Sequence, residues 1–165
     1  MDFLIQPSRE GDKGGRLRDI QPDFAAIIAP GLRCAFRDRM LVTISGATLF
    51  GEKATREVWI SGAGAYVVLK ALAFDSRGEN KDAYDLFYVL RNYGAGVDDV
   101  ATKLRPLLDD PEAQRALAIL KRDFGTPDAI GPMRVAAFVT GGIDDELQAD
   151  VVGFVAELLT KVRAL

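Results

Sequence analysis

The stretch Gly62–Gly94, GAGAYVVLKALAFDSRGENKDAYDLFYVLRNYG, decides how the chain is read. From Ala65 to Phe74 it is apolar except for one residue, Lys70, and a charged cluster of Lys81, Asp82 and Asp85 follows. Both halves have helical spacing. The first is apolar nearly all round and sized for burial, while the second sets Ala83, Leu86, Phe87 and Leu90 at i, i+3, i+4 and i+7. Asn80 is a candidate N-cap for the second helix and Gly94 a candidate stop. Asp82 and Asp85 then share one face of the first turn, with Lys81 one turn from Asp85. Acidic groups at a helix start are also favoured by the dipole, so capping electrostatics is the simplest account of them.

Lys70 asks for more. An ammonium on a helix that is apolar on all sides must snorkel to water, pair with a carboxylate or hold an anion, because burying it unpaired is costly. The expected partner is Asp82 or Asp85. The residues alone leave two readings open, a structural ion pair and an anion or phosphate site.

Upstream, residues 1–5 read as a short strand and Gln6–Leu17 as a loop punctuated by Pro7, Gly11, Gly14 and Gly15. Lys13, Arg16 and Arg18 make this region basic, but GDKGG lacks the Lys-Ser/Thr ending of a P-loop. Asp23–Ile28 is an apolar patch, a helical turn or a strand, closed by Pro30-Gly31. Arg33–Phe36, Met40–Ile44 and Glu57–Ile60 read as strands, with turns at Asp38-Arg39, Ser45-Gly46 and Gly51-Glu52-Lys53. They are expected to form an antiparallel meander packed on the Lys70 helix, with Trp59 as a core anchor and Cys34 as a small core residue. Gly62-Ala63-Gly64 lacks the full spacing of a dinucleotide turn and is expected to let the helix start approach the sheet closely.

Downstream, Val97, Val100, Ala101, Leu104 and Leu108 form a helical stripe that Pro106 kinks or ends. Asp109-Asp110-Pro111 starts another helix. Gly125-Thr126-Pro127 and Gly131-Pro132 bracket a loop, Met133–Val139 is a short helix or strand, and Asp144–Leu165 is a final amphipathic helix. The acid pairs Asp98-Asp99, Asp109-Asp110 and Asp144-Asp145 stand at helix starts, where capping explains them. The fold class is therefore α+β, a small mostly antiparallel sheet followed by a helical bundle. One domain over 1–165 is expected, with a sheet lobe to about 61 and a helical lobe from about 62.

The bulk numbers agree with that frame. With 165 residues, 48% hydrophobic and 27% charged, the chain is long enough for one sizeable core. A formal charge of −3 argues against an extended nucleic-acid footprint. One cysteine and no histidine exclude disulfide frameworks, Cys/His zinc sites and histidine acid–base chemistry within the chain. No run is long enough to span a membrane and no signal-like start is present, so a cytoplasmic location is expected.

The string Val68–Arg91, VLKALAFDSRGENKDAYDLFYVLR, combines a lysine on an apolar helix, an arginine in the following loop and Lys-Asp-x-x-Asp opening an aromatic helix. It resembles the C-terminal motifs of the AbiEii/AbiGii-type nucleotidyltransferases, a family that includes abortive-infection toxins. The resemblance implies a partial nucleotidyltransferase-like fold that transfers a nucleotide from a nucleoside triphosphate, with Mg²⁺, to an RNA or protein hydroxyl. It implies that Lys70 contacts the phosphates, that Lys81, Asp82 and Asp85 line the nucleotide site, and that Arg77 is a further phosphate contact. It also likens Met1–Ile5 to the strand carrying a third carboxylate, which makes Asp2 the catalytic, metal-side acid. An antitoxin protein is a partner the resemblance allows. The family's Gly-Gly or Gly-Ser turn and Asp-x-Asp pair are missing from the required place, so the chain is expected to be the C-terminal part of such an enzyme, incomplete for catalysis. The alternative is a non-catalytic, degenerate domain acting through nucleotide or protein-partner binding.

Overall fold

The computed structural model describes residues 3–163. Strands β1 (Leu4–Ile5), β2 (Leu17–Gln21) and β3 (Phe24–Ile28) form one sheet in the order β1-β3-β2, with β1 parallel and β2 antiparallel to β3. The apolar patch after Asp23 is thus a strand. Asp23 turns the chain with φ 64°, a left-handed conformation that a short polar side chain tolerates. Ala26 and Ile28, two apart on β3, share its buried face.

Arg33–Phe36, expected as a strand, is instead part of a short helix, α1 (Leu32–Arg37). Gly31 precedes it at φ 79°, where a Cβ would lie 2.7 Å from Leu72 Cδ1. The single helical turn puts Cys34 fully inside while Phe36, two residues on, stays 60% exposed. Six residues are too few for a periodic signal, and packing on the next helix settles the conformation.

β4 (Arg39–Ala47) and β5 (Lys53–Ser61) form a separate hairpin, in unbroken register from Arg39 opposite Ser61 to Ala47 opposite Lys53. Ser45-Gly46 continues β4 rather than turning, and the reversal is at Thr48–Glu52, closed by Thr48 N–H donating to Glu52 O at 2.8 Å. The expected single meander is therefore two sheets, and the hairpin is not covered by the Lys70 helix. Beyond its own two strands it packs chiefly against α1. Trp59 is 56% exposed with the Arg39 guanidinium 4.4 Å from its ring centroid, a surface residue and not a core anchor. Strand alternation assigns a face correctly but says nothing about what covers that face.

The rest is helical: α2 (Ala63–Arg77), α3 (Asn80–Asn92), α4 (Val97–Leu104), a 3-10 turn at Arg105–Leu107, α5 (Pro111–Asp123), α6 (Ile130–Thr140) and α7 (Asp145–Arg163). The class is α+β, small sheets followed by helices. Helix α2 lies at the centre, touching α1, α3, α4 and α5. Phe74 meets Phe124 at 5.4 Å between centroids and Phe87 meets Phe154 at 5.6 Å, so aromatic pairs tie α2 to α5 and α3 to α7. Met133–Val139 is helical. Gly131-Pro132 opens α6 instead of closing a loop, because proline suits a first helical turn and Gly131 lies against the Phe124 ring. Asp110 Oδ1 accepts from Glu112 N–H at 3.0 Å and Asp144 Oδ1 from Leu147 N–H at 3.0 Å, as capping requires, while Asp99 holds the Ala95 N–H at 2.8 Å ahead of α4. Among the described residues no helix is long and apolar enough to cross a membrane.

The start of α2 is held from outside: Asp38 Oδ2 accepts from Ala65 N–H at 3.0 Å. The small residues there serve α4, not the sheet, since a Cβ on Gly64 would lie 2.5 Å from the backbone of Lys103. Gly64→Ala is expected to destabilise the fold by about 1–3 kcal/mol through overpacking against backbone. Gly153→Ala, in open space on α7, should instead stabilise by about 0.5–1 kcal/mol. Urea unfolding of the two variants beside the parent checks the opposite signs.

Candidate functional site

Helix α2 ends at Gly78, φ 66°, a left-handed cap that turns the chain back so that the first turn of α3 faces α2. That reversal brings Lys70 to two carboxylates at once. Lys70 Nζ lies 3.0 Å from Asp82 Oδ1 and 2.6 Å from Asp85 Oδ2. The spacing of Asp82 and Asp85 puts them on one helix face, so one ammonium reaches both. Arg77 closes over the top, donating from Nε to Asp82 Oδ2 at 2.6 Å and from Nη2 to Oδ1 at 2.8 Å. Lys81 donates to both oxygens of Asp85, at 3.0 and 2.8 Å, the expected contact one turn apart. The five residues named in sequence therefore form one continuous clasp.

Burial is graded through it. Asp82 is 1% exposed, Asp85 12% and Lys70 20%, whereas Arg77 and Lys81 are 58% and 67% exposed at the outer lip. Burial alone pushes the Asp82 carboxyl up, but the Arg77 and Lys70 bonds outweigh it and hold the group below the ordinary carboxylate value. Asp85 follows the same pattern through Lys70 and Lys81. Burial pushes Lys70 down, and its bonds to Asp85 and Asp82 reverse that and leave it raised. All three stay charged near neutrality. The Tyr66 ring, its centroid 5.6 Å from Lys70 Nζ, adds a cation–π neighbour.

Asn80 does not cap α3. The helix begins at Asn80 itself with Glu79 ahead of it, and Asn80 Oδ1 accepts from Arg134 of α6 at 3.0 Å. A second clamp on the same helix, Asp75 held by Arg122 at 2.7 Å and Arg115 at 2.8 Å, fixes the end of α2 to α5. Asp75 lies forty or more residues from either arginine in the chain, so no local motif announced it. Arg18, on β2, is committed to Asp12 and Ser8 of the basic N-terminal loop and so ties that loop to the strand. Cys34 is a core residue as expected, its thiol pushed up to about 11 chiefly by burial.

Asp2, the expected catalytic and metal-side acid, lies outside the described residues. Among the described residues no group of three or more His, Cys, Asp or Glu side chains is placed to hold a metal. The clasp acids do not fit Mg²⁺ either: each oxygen of Asp82 and of Asp85 already accepts from a cation, and an octahedral ion at about 2.0–2.1 Å would have to displace Lys70, Arg77 or Lys81. What the arrangement can do is hold α2 to α3 and offer a cationic lip.

The paired acids contribute stability that is present above about pH 4 and lost as pH falls through their lowered native values; Lys70, raised, contributes stability present below about pH 10 and lost above it. A plateau between those limits is expected in denaturant midpoints measured across pH. Asp82→Ala, which strips the most buried member and leaves its cations facing an apolar wall, should cost about 3 kcal/mol, and Lys81→Ala at the lip less than about 1 kcal/mol. Equal costs for the two in urea unfolding would contradict the burial gradient. No family model, no curated protein and no solved structure matches this chain, so the clasp is interpreted from its own chemistry and from the motif resemblance alone.

Proposed function

We propose that the clasp is the nucleotide side of an AbiEii-like nucleotidyltransferase site, with Lys70 and the lip cations Arg77 and Lys81 taking the triphosphate. The observation that carries this is the order of exposure: the acids Asp82 and Asp85 lie inside and the two most exposed members of the clasp are both cationic. Glu79 beside Arg77 leaves the local count neutral, so attraction for a polyanion rests on the exposed donors, and Arg77 keeps Nη1 without a partner among the described residues. Asp82 and Asp85 in this reading order the cations and do not touch metal. Lys70 is held by both acids at the floor of the site, and a phosphate oxygen approaching from the lip meets Arg77 and Lys81 first.

Among the described residues no acids are grouped to assist a metal, so in this reading transfer to an RNA or protein hydroxyl draws on carboxylates beyond those of residues 3–163, Asp2 among them. In this reading the protein acts in the cytoplasm, and an antitoxin is a compatible partner. A second reading has its own support: every carboxylate oxygen of the clasp is already satisfied, which suits a purely structural pin in a non-catalytic, partner-binding domain.

Calorimetric titration with each Mg²⁺-nucleoside triphosphate separates the two. Binding that weakens about tenfold or more in Arg77→Ala and in Lys81→Ala, each the loss of one charge-assisted phosphate contact, is the expected result. Lys81 is at the exposed lip and its variant leaves the buried pairs intact, while Arg77→Ala also removes a partner of buried Asp82, so its titration is read beside a urea unfolding curve of the same variant. Absence of binding to every triphosphate would make the clasp a structural pin.

A further inference from the structure

The β4–β5 hairpin is the least explained part of the molecule. Directly opposite residues share a face, so the register sorts its side chains into two sets. One face pairs Arg39 with Ser61, Thr43 with Glu57 and Ser45 with Thr55, whose hydroxyls are 3.0 Å apart; its two large apolar side chains, Leu41 and Trp59, lie opposite each other, with Trp59 under the Arg39 guanidinium. The other carries Met40 and Ile60, Val42 and Val58, Ile44 and Arg56, Gly46 and Ala54. That second face has one charge in eight residues, yet Met40, Ile44, Val58 and Ile60 are 39%, 54%, 40% and 41% exposed. At the tip Leu49 and Phe50 are 102% and 91% exposed. A two-stranded ribbon is marginal in water by itself, and an apolar face of this kind needs a cover.

We propose that this face is covered by the same face of a second copy of the chain, the two hairpins packed across a two-fold axis with their strands running in opposite directions. Three observations select that occupant. The apolar face grades from bulky at the base, Met40 with Ile60, to small at the far end, Gly46 with Ala54. Antiparallel stacking sets the bulky pair of each copy over the small pair of the other, with Val42 and Val58 over Ile44 and Arg56, so the face is complementary to itself in size. Leu49 and Phe50 at the tip offer the largest exposed apolar surface, and together with Met40, Ile44, Val58 and Ile60 they are on the scale of the roughly 800 Å² per partner of a standard stable interface. The same geometry carries Leu49 and Phe50 past the base of the facing hairpin, toward α1, which packs on β5 and leaves Phe36 60% exposed. A nucleic acid is not favoured, because Arg39, Lys53 and Arg56 are nearly balanced by Glu52 and Glu57.

The contact is independent of the clasp and of what the clasp binds. It is tested on the full chain by sedimentation velocity between about 1 and 100 µM, a range bracketing a micromolar dissociation constant. The expected result is a concentration-dependent dimer that Ile44→Lys converts to monomer with the helical circular dichroism unchanged. Leu49→Ser, at a position touching nothing in the isolated chain, should weaken the dimer severalfold and provides a readout free of any folding effect. A chain that stays monomeric over the range overturns the proposal and leaves the face to a different protein; a dimer that neither substitution weakens overturns it as well.

Discussion

A cation on a buried helix cannot be left unpaired, and the arrangement of the helical body follows from that constraint on Lys70. Helix α2 buries Ala63, Gly64, Ala65, Val67, Val68, Ala71, Leu72 and Phe74, and so touches neighbours on most of its circumference. Hydrophobic contact alone is non-directional and would let α3 slide or rotate against such a surface. The two carboxylates reaching one ammonium remove that freedom, because a slip by one residue would carry Asp82 and Asp85 off the face that meets Lys70. Ala83, Leu86, Phe87 and Leu90 are then delivered to the core. The net energy of the pairing is modest after desolvation, but its directional requirement fixes the register of α3 on α2.

The part of the molecule written most plainly in sequence is the part where periodicity and pairing act over short distances. The two helices around Gly78, the meeting of Lys70 with the acids of α3 and the contact of Lys81 with Asp85 all depend on residues within sixteen positions of one another. What escaped the sequence depends on longer reach or shorter signal. Asp38 holds the N–H of Ala65 from twenty-seven residues away, and Arg115 and Arg122 hold Asp75 from further still. Helix α1 is one turn long, and its apolar alternation suited a strand equally well until α2 was there to receive Cys34. The hairpin shows a different gap. Its strands were evident from β-branched and aromatic content, but alternation is a property of one sheet, and whether Trp59 is inside depends on a second layer that the described residues do not supply.

The clasp and the hairpin are thus opposite answers to the same need for satisfaction. In the clasp every acid oxygen is matched, and only the cationic lip retains capacity for a ligand. In the hairpin the backbone ladder is complete while the apolar face is left unmatched. Catalysis by divalent metals needs carboxylates that converge without already being neutralised, and the clasp acids fail that condition because they are what keeps Lys70 inside. Any site in which they helped hold a metal would have to release Lys70 into an apolar helix face, undoing the contact that fixes α3. Anion binding at Arg77 and Lys81 demands no such release, since both side chains are more than half exposed and Arg77 can add an oxygen at Nη1 while keeping Asp82. The structural role of the two buried acids and a phosphate-binding role for the lip cations are therefore compatible, whereas structural and metal-binding roles for the same two acids are not.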